Sequence, residues 1–580
     1  MLRMSGTRDQ SSSASPARPV RAAADAYVQA YAELDPLVAT ELGLPAGQDR
    51  LPDLSPAGQQ ALDSLRRQVL ADLAAREQAA AASGGLADPP ERRCARLLRE
   101  RLEAELAVSE TGEMLRFVSE IFGPHEQVRS SFLLMPAGTE DDWAVIARRL
   151  TAVPGALAGY RESLAEGARR GMLAAPRQVR TVASQLDSWL AAADGRGWFA
   201  EFTAASPVGL PGSLRADLEH GAAVATAAVA GLRDWLRDEY LPAAAGTPDG
   251  IGADRYRVLA RFWTGADLDL AEAYEWGWSE YRRIWAEMVG AAARILPDAG
   301  PKQAMDHLER HGTAIAGVEE IRAWLQGLMD DAMARLDGTH FDLAGPIKVV
   351  QARIAPPGTG AAPYYTSPSL DFSRPGQTWL PTMGKTTFPV WGLVSTWYHE
   401  GVPGHHLQLA QWAYLAGELS AYQTTVGGVS ANIEGWALYA ERLMDELGFL
   451  TDAGARMGYL EAQIARAIRV VIDIGMHLEL RVPADSPLFA SETWTADRGL
   501  EFFAAHSGQS PEYLQSEVVR YLGGAGQAIG YKLGERAWLA GRAAARAARG
   551  PAFDLKSWHM AALSLGSLGL DDLAAELAGL

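Results

Sequence analysis

The chain has eleven histidines, and three of them, His399, His405 and His406, lie within eight residues. Glu400 directly follows the first. Imidazoles beside a carboxylate suit metal-assisted hydrolysis. Two neutral imidazoles and a third donor hold a zinc ion, and a further carboxylate takes a proton from water. The usual spelling is His-Glu-x-x-His on a helix, with both rings on one face. Here His399-Glu-Gly-Val-Pro-Gly-His405-His406 places four residues between Glu400 and His405. On a straight helix, positions 399 and 405 differ by roughly 240°, and 399 and 406 lie roughly 10 Å apart along the axis, so neither pair shares an ion. The helix must bulge. Gly401, Pro403 and Gly404 provide the freedom, and a two-residue bulge brings His405 to the second position. The plainer reading is a helix end with solvated histidines. The lead-in Val390-Trp-Gly-Leu-Val-Ser-Thr-Trp-Tyr398 is apolar nearly all round, which predicts a buried helix and argues against that reading.

Other side chains surround this centre in the sequence. Asn432 to Glu446 has a helical stripe of Ile433, Trp436, Ala437, Ala440, Leu443 and Met444, with Glu434, Glu441 and Asp445 on an adjoining face. For Glu441 and Asp445 that face is expected to be solvated. Arg469, Asp473 and His477 are spaced by four and share a helix face. They form either a structural ladder or a relay in which Arg469 fixes Asp473, Asp473 orients His477, and His477 meets a substrate carbonyl or oxyanion. Arg520 and Arg374 are candidates for a substrate carboxylate, with Tyr521 and His406 beside them as binding residues. A buried Arg520 paired with Glu517 or Glu535 accounts for that residue equally well. Tyr364 and Tyr365 line a cleft or pack in a core.

These residues need a large scaffold, and 580 residues provide one. From Ala22 to about Asp337 the pattern is helical, as in Trp143, Ile146, Leu150, Val153 and Leu157, with breaks at Gly209-Leu-Pro-Gly212 and Ala245-Gly-Thr-Pro248. Ile347 to Ile354 alternates and is β-branched, Pro356-Pro357-Gly358 stops it, residues 361–376 read as a loop, and Gln377 to Pro381 reads as a second strand. The two strands predict a small hairpin-like sheet near residues 345–382 that flanks the histidines. Helices are predicted over 431–448, 453–480, 493–505, 511–521 and 525–548.

The formal charge of -18 disfavours phosphate backbones and anionic membranes, so nucleic acid and membrane are not expected partners. The single cysteine, Cys94, precludes a disulfide within the chain and a cysteine-based metal site. Residues 1–21 are rich in Ser, Arg and Pro, lack a signal-peptide core and read as a disordered tail. No apolar run is long enough to span a bilayer, and a cytoplasmic location is expected.

Several segments together resemble a bacterial family catalogued as domain of unknown function 885. They are Tyr398-His-Glu-Gly-Val-Pro-Gly-His-His-Leu-Gln408, Pro368-Ser-Leu-Asp-Phe-Ser-Arg-Pro-Gly376, Glu434-Gly-Trp-Ala-Leu-Tyr439, Arg469-Val-Val-Ile-Asp-Ile-Gly-Met-His477, and Arg520-Tyr521 ahead of Gly526-Gln527. The resemblance is strongest over residues 345–535 and weak before about 115. One departure is Gly523-Gly-Ala-Gly526, where a Pro-Gly is expected. Gly404-His405-x-Leu407 also resembles the end of the zinc motif in thimet-oligopeptidase-type gluzincins. That resemblance implies His405 as second ligand, Glu434 as third, and Tyr531 as the group that stabilises an oxyanion.

The expectation is therefore a mostly α, gluzincin-like fold with a deep active-site groove. Its parts would be a tail over 1–21, a helical wall over 22–340 and a zinc-binding region over 341–580. One Zn²⁺ per chain would be held by His399, His405 and Glu434, with Glu400 as base acting on short peptides or amides. Two other readings share the motif: a dedicated amide hydrolase for a small acyl-amino-acid intermediate, and an inactive metal-binding protein. Glu400 argues against the last, because a structural zinc site has no use for it.

Overall fold

The computed structural model describes residues 18–82, 88–356 and 362–580. Most of the predicted tail, and the Pro357-Gly358 break, lie outside the described residues. The tail's last residues differ from expectation. A helix begins at Pro19, Val20 is buried, and the Arg21 guanidinium donates to the Ala416 carbonyl at 2.8 Å.

The chain is mostly helical, with few strands. Helix α1 (Glu140–Arg169) starts in a capping box of Thr139 and Asp142, and the expected stripe from Trp143 to Leu157 is buried. It packs on α2 (Gly212–Trp235), and both belong to a hydrophobic core built from residues between Val118 and Ala244. A larger core draws on the chain from Val20 to Leu102 and again from Tyr256 to Leu577. The hydrophobic interior therefore does not divide at residue 340.

Helix α3 (Leu270–Ile295) packs along α7 (Ala453–His477), where a Cβ at Gly277 would lie 2.9 Å from Val470. Helix α7 is capped by Asp452, which accepts from the Ala455 amide at 2.8 Å, and is buried on nearly every side.

The small sheet is not a hairpin. Strands β1 (Ala314–Ala316) and β5 (Thr387–Pro389) pair antiparallel, apart from the rest. Strands β2 (Val350–Ile354), β3 (Tyr364–Thr366) and β4 (Gly376–Leu380) form a second sheet in the order β2-β4-β3. The two expected strands, β2 and β4, pair parallel. Strand β3, antiparallel to β4, lies within the expected loop. A parallel pair cannot close through a tight turn, so the connecting chain adds a strand of its own.

Four further helices carry the chemistry-bearing segments: α4 (Leu393–Glu400), α5 (His405–Tyr414), α6 (Ser430–Glu446) and α9 (Gly530–Arg549), with α8 (Pro511–Gly523) just before α9. Helices α6 and α9 cross at a glycine pair. A Cβ at Gly435 would lie 2.4 Å from the Gly534 carbonyl carbon, and one at Gly534 would lie 2.0 Å from the Ala431 oxygen. This approach brings Tyr531 of α9 beside Glu434 of α6. No helix among the described residues is long and apolar enough to cross a membrane.

Candidate metal centre

The histidine segment breaks the helix rather than bulging it. Helix α4 ends at Glu400, the Val402–Pro403 peptide is cis, and α5 starts afresh at His405. The Gly404 amide donates to the Tyr398 carbonyl at 2.9 Å, and the His406 amide to the Gly401 carbonyl at 3.1 Å. A Cβ at Gly404 would lie 1.9 Å from the His399 oxygen, so this turn requires glycine. Trp436 of α6, fully buried, holds the turn by donating its indole N–H to the Pro403 and Gly404 carbonyls at 3.1 and 2.9 Å.

The break sets the His399 and His405 rings edge to face, with centroids 4.8 Å apart. Glu434 completes the group. Its Oε2 lies 3.2 Å from His399 Nε2 and 3.6 Å from His405 Nε2. One ligand atom from each of the three falls within 4.8 Å of the others. Donors about 2.0–2.1 Å from a tetrahedral zinc stand about 3.3 Å from one another, so the spacing and the His-His-Glu chemistry both fit that ion. Glu400 Oε2 lies 4.0 Å from His405 Nε2, next to the group and not within it.

Burial and charge pull against each other here. Desolvation would lower the His399 imidazole, but its bonds to Glu434 and Glu441 and the charge of Glu400 outweigh that and push it up to about 9. Desolvation would raise the Glu434 carboxyl, yet the His399 bond and the His405 and His399 charges bring it down to about 2. Burial pushes Glu400 up to about 8, with His399 opposing and Glu434 adding to the rise. Burial holds His405 at about 4, so it is neutral near pH 7, the form that donates to a metal. Three carboxylates, Glu441 buried and Glu400 and Glu434 partly so, surround two buried imidazoles and call for a cation, whether a proton on His399 or a metal ion.

Glu441 is not on a solvated face. It is fully buried, and its Oε1 accepts from His399 Nδ1 at 2.8 Å while Oε2 accepts from the Ser395 hydroxyl at 2.7 Å. A carboxylate on Nδ1–H holds that proton in place, so Nε2, which faces Glu434, is the atom that would give up its proton and be offered to a metal. Gln463 lies 3.5 Å from the same carboxylate and accepts from buried Lys532 at 2.5 Å. The signal was present in the sequence: Glu441 follows Glu434 by two helical turns, among alanines and leucines. Asp445, by contrast, pairs with Arg456 at 3.1 Å, half-buried.

His406 lies outside the donor group and outside any open binding surface. Its Nε2 is 2.7 Å from the Ile347 carbonyl, which can only accept, so Nε2 carries the proton. Its Nδ1 therefore accepts from the Tyr365 hydroxyl at 2.8 Å, and the ring is fully buried. Tyr365 thus anchors β3 to α5, and Tyr364 stacks on Trp379 with centroids 5.9 Å apart.

Spacing leaves both relay and structural ladder open for Arg469, Asp473 and His477; the structure packs all three inside the bundle, where only Asp473 and His477 face each other, at 3.6 Å. His477 is buried and its Nε2 donates to the Tyr521 carbonyl at 3.1 Å. Asp473 accepts from the Tyr256 hydroxyl at 2.6 Å and the Gly526 amide at 3.0 Å, so the amide at that glycine is used. Arg469 turns to Glu517 at 2.7 Å and to the Tyr521 hydroxyl at 2.8 Å rather than to Asp473. Arg520 spends its guanidinium on Glu517 at 2.8 and 3.0 Å and on Gln527, and Tyr521 donates to Glu517 at 2.6 Å. Arg520 and Tyr521 are therefore packed partners of one carboxylate, and neither presents a free group to a ligand. Arg374 is exposed on the loop between β3 and β4. Tyr531 lies at the centre: its hydroxyl helps to hold Glu434 low, and the Arg469 guanidinium covers its ring at 4.7 Å.

The family model described as "Bacterial protein of unknown function (DUF885)" matches residues 36–577, well beyond the 345–535 stretch where the resemblance is plainest. No curated protein matches the chain. Two solved structures share the fold. A candidate lipoprotein from Colwellia psychrerythraea is 22% identical with a TM-score of 0.82, covering 97% of this chain and 98% of its own. A candidate lipoprotein of unknown function from Shewanella oneidensis is 16% identical with a TM-score of 0.73, covering 96% and 99%.

Proposed function

The chain belongs to the DUF885 family, whose description assigns no activity, and we propose that it is a zinc-dependent hydrolase of peptide or amide bonds in short, peptide-like substrates. The observation that carries this reading is the convergence of His399, His405 and Glu434, with Glu400 4.0 Å from His405 and outside the donor set. On this reading the centre would work as in gluzincin metallopeptidases, whose zinc motif Gly404-His405-x-Leu407 resembles. His399, His405 and Glu434 would hold the ion, which when bound acidifies water and polarises a carbonyl.

The remaining work falls to side chains. Glu400, its side chain 13% exposed, is reached by solvent, whereas the His399 ring is 3% exposed. Among side chains alone, burial and the charges of Glu434 and Glu441 hold Glu400 at about 8; with a cation held by His399, His405 and Glu434 those charges are offset, and the ionised Glu400 would then accept a proton from the attacking water and return it to the leaving nitrogen. The Tyr531 hydroxyl, beside Glu434, donates to the oxygen that gains charge. Glu441 keeps the His399 ring in the donating tautomer. Metal analysis of purified protein is expected to find one zinc per chain, and mass-spectrometric profiling of dipeptide and N-acyl-amino-acid pools is expected to find cleaved amides. A chain that takes up no zinc from a stoichiometric supply, or that cleaves nothing when loaded, defeats the reading.

Glu441 supplies a separate check. Glu441→Gln keeps the volume and weakens the hold on Nδ1–H, and metal affinity is expected to fall about 10–100-fold. Competition with a chelator measures this without reference to turnover. Unchanged affinity would show that the buried carboxylate does not position His399.

A further inference from the structure

Helix α7 contains three arginines, and two of them are paired. Arg456 meets Asp445, and Arg469 meets Glu517. Arg466 forms no ion pair among the described residues. Its one hydrogen bond runs from Nη1 to the Ala462 carbonyl of its own helix at 3.1 Å, and its Nε is buried without a partner. A guanidinium in a protein stays charged, so a half-buried one without a carboxylate is costly unless a ligand completes it.

Its place on the helix says where such a ligand sits. Gln463, three residues before, reaches Glu441, and Arg469, three residues after, covers the Tyr531 ring. Three residues turn a helix back to within about 60°, so Arg466 projects between those two neighbours, toward the His–Glu centre. Its positive charge is felt there, lowering Glu400, Glu441 and Tyr531.

We propose that Arg466 is the specificity residue that receives the α-carboxylate of the substrate, so that the enzyme cuts the amide next to a free C-terminal amino acid. This rests on the hydrolase reading above. A forked guanidinium grips a carboxylate through two parallel bonds, which fits the N–H groups that Arg466 leaves unused beyond its one bond to Ala462. Positions 463 to 469 span only about 9 Å of helix, so an acid held between them lies within a residue's reach of the centre. The same carboxylate occurs in a peptide and in an N-acyl amino acid.

The test uses the full zinc-loaded chain. Calorimetry on the Glu400→Gln background measures binding of alanyl dipeptides and N-acetyl amino acids ending in Phe, Leu, Lys or Glu, each as free acid and as amide. At least one acid is expected to bind about 10–100-fold more tightly than its amide. The gap is expected to close in Arg466→Met and to survive in part in Arg466→Lys, with melting temperatures confirming that both variants fold. Tight binding in the dipeptide arm points to a peptide substrate, and in the acetyl arm to an acyl amino acid. The proposal is overturned if no acid binds, if acid and amide bind alike, or if the gap survives Arg466→Met. It is also overturned if that substitution lowers wild-type turnover and leaves the acid-to-amide ratio intact, since Arg466 would then act only on Glu400. Failure of the hydrolase reading looks different: no cleavage by the wild type, with an Arg466-dependent acid preference still present in binding.

Discussion

Glu400→Gln is expected to lower turnover by about 10²- to 10⁴-fold, the usual cost of losing a general base, while zinc stays bound. The two halves of this expectation have separate causes. Glutamine keeps the shape of the side chain and cannot accept the proton. The ion is untouched because the converging donors are His399, His405 and Glu434, and Glu400 approaches only to 4.0 Å of His405. Metal content and kcat on the same preparation decide it. Hydrolysis near the wild-type rate would remove Glu400 from the mechanism. Loss of zinc together with activity would instead make Glu400 part of the donor set.

The second large effect separates adjacent histidines. His405→Ala removes a donor from the centre, and zinc affinity is expected to fall by more than the about 10–100-fold typical of an outer partner. His406→Ala is expected to keep zinc and lose stability, by about 1–3 kcal/mol, because it strands the Ile347 carbonyl and the Tyr365 hydroxyl in a buried place. Chelator competition and thermal melting, run on both variants, give opposite patterns under this assignment. The reverse pattern would mean that the turn at Gly401–Gly404 delivers the other ring to the metal.

The parts of this centre differ in how far they can be read from the chain alone. His399 and Glu400 stand out because an ionisable pair at the end of an apolar run has few other uses. The turn was legible as a necessity, since six residues of straight helix cannot bring two rings to one ion. Its form was not: the chain ends one helix and starts another, held by Trp436 from a helix some thirty residues on. Glu434 and Glu441 share a helix face in sequence, and that face turns inward, with Glu441 fully buried and Glu434 19% exposed. A solvated face was the wrong expectation for Glu441 because α4 covers it, and periodicity within α6 carries no trace of α4.

Arg469, Asp473 and His477 show the same limit from the other side. Spacing by four correctly places them on one face of α7. Which way that face points depends on α8, which brings Glu517 and the Tyr521 carbonyl to meet it. Arg466, one turn earlier, carries no signal in sequence, because a lone arginine is usually surface charge. It becomes conspicuous only once its neighbours are seen to touch the centre and its own guanidinium is seen to lack a carboxylate.

By itself, then, the sequence determined the mostly helical class and the approximate helix boundaries of the second half, and it marked His399 and Glu400 as candidates to bind a metal and move a proton. Those depend on residue type and on short-range periodicity, which a local window contains. Tertiary structure alone decided that β2 and β4 pair parallel, that His405 turns inward while His406 is spent on Ile347 and Tyr365, that Glu441 backs His399, and that Arg466 meets no carboxylate among the described residues. Each of these is a contact between segments far apart in the chain, formed because burial drives the elements together and a buried polar group must then be met by whatever the neighbouring element presents.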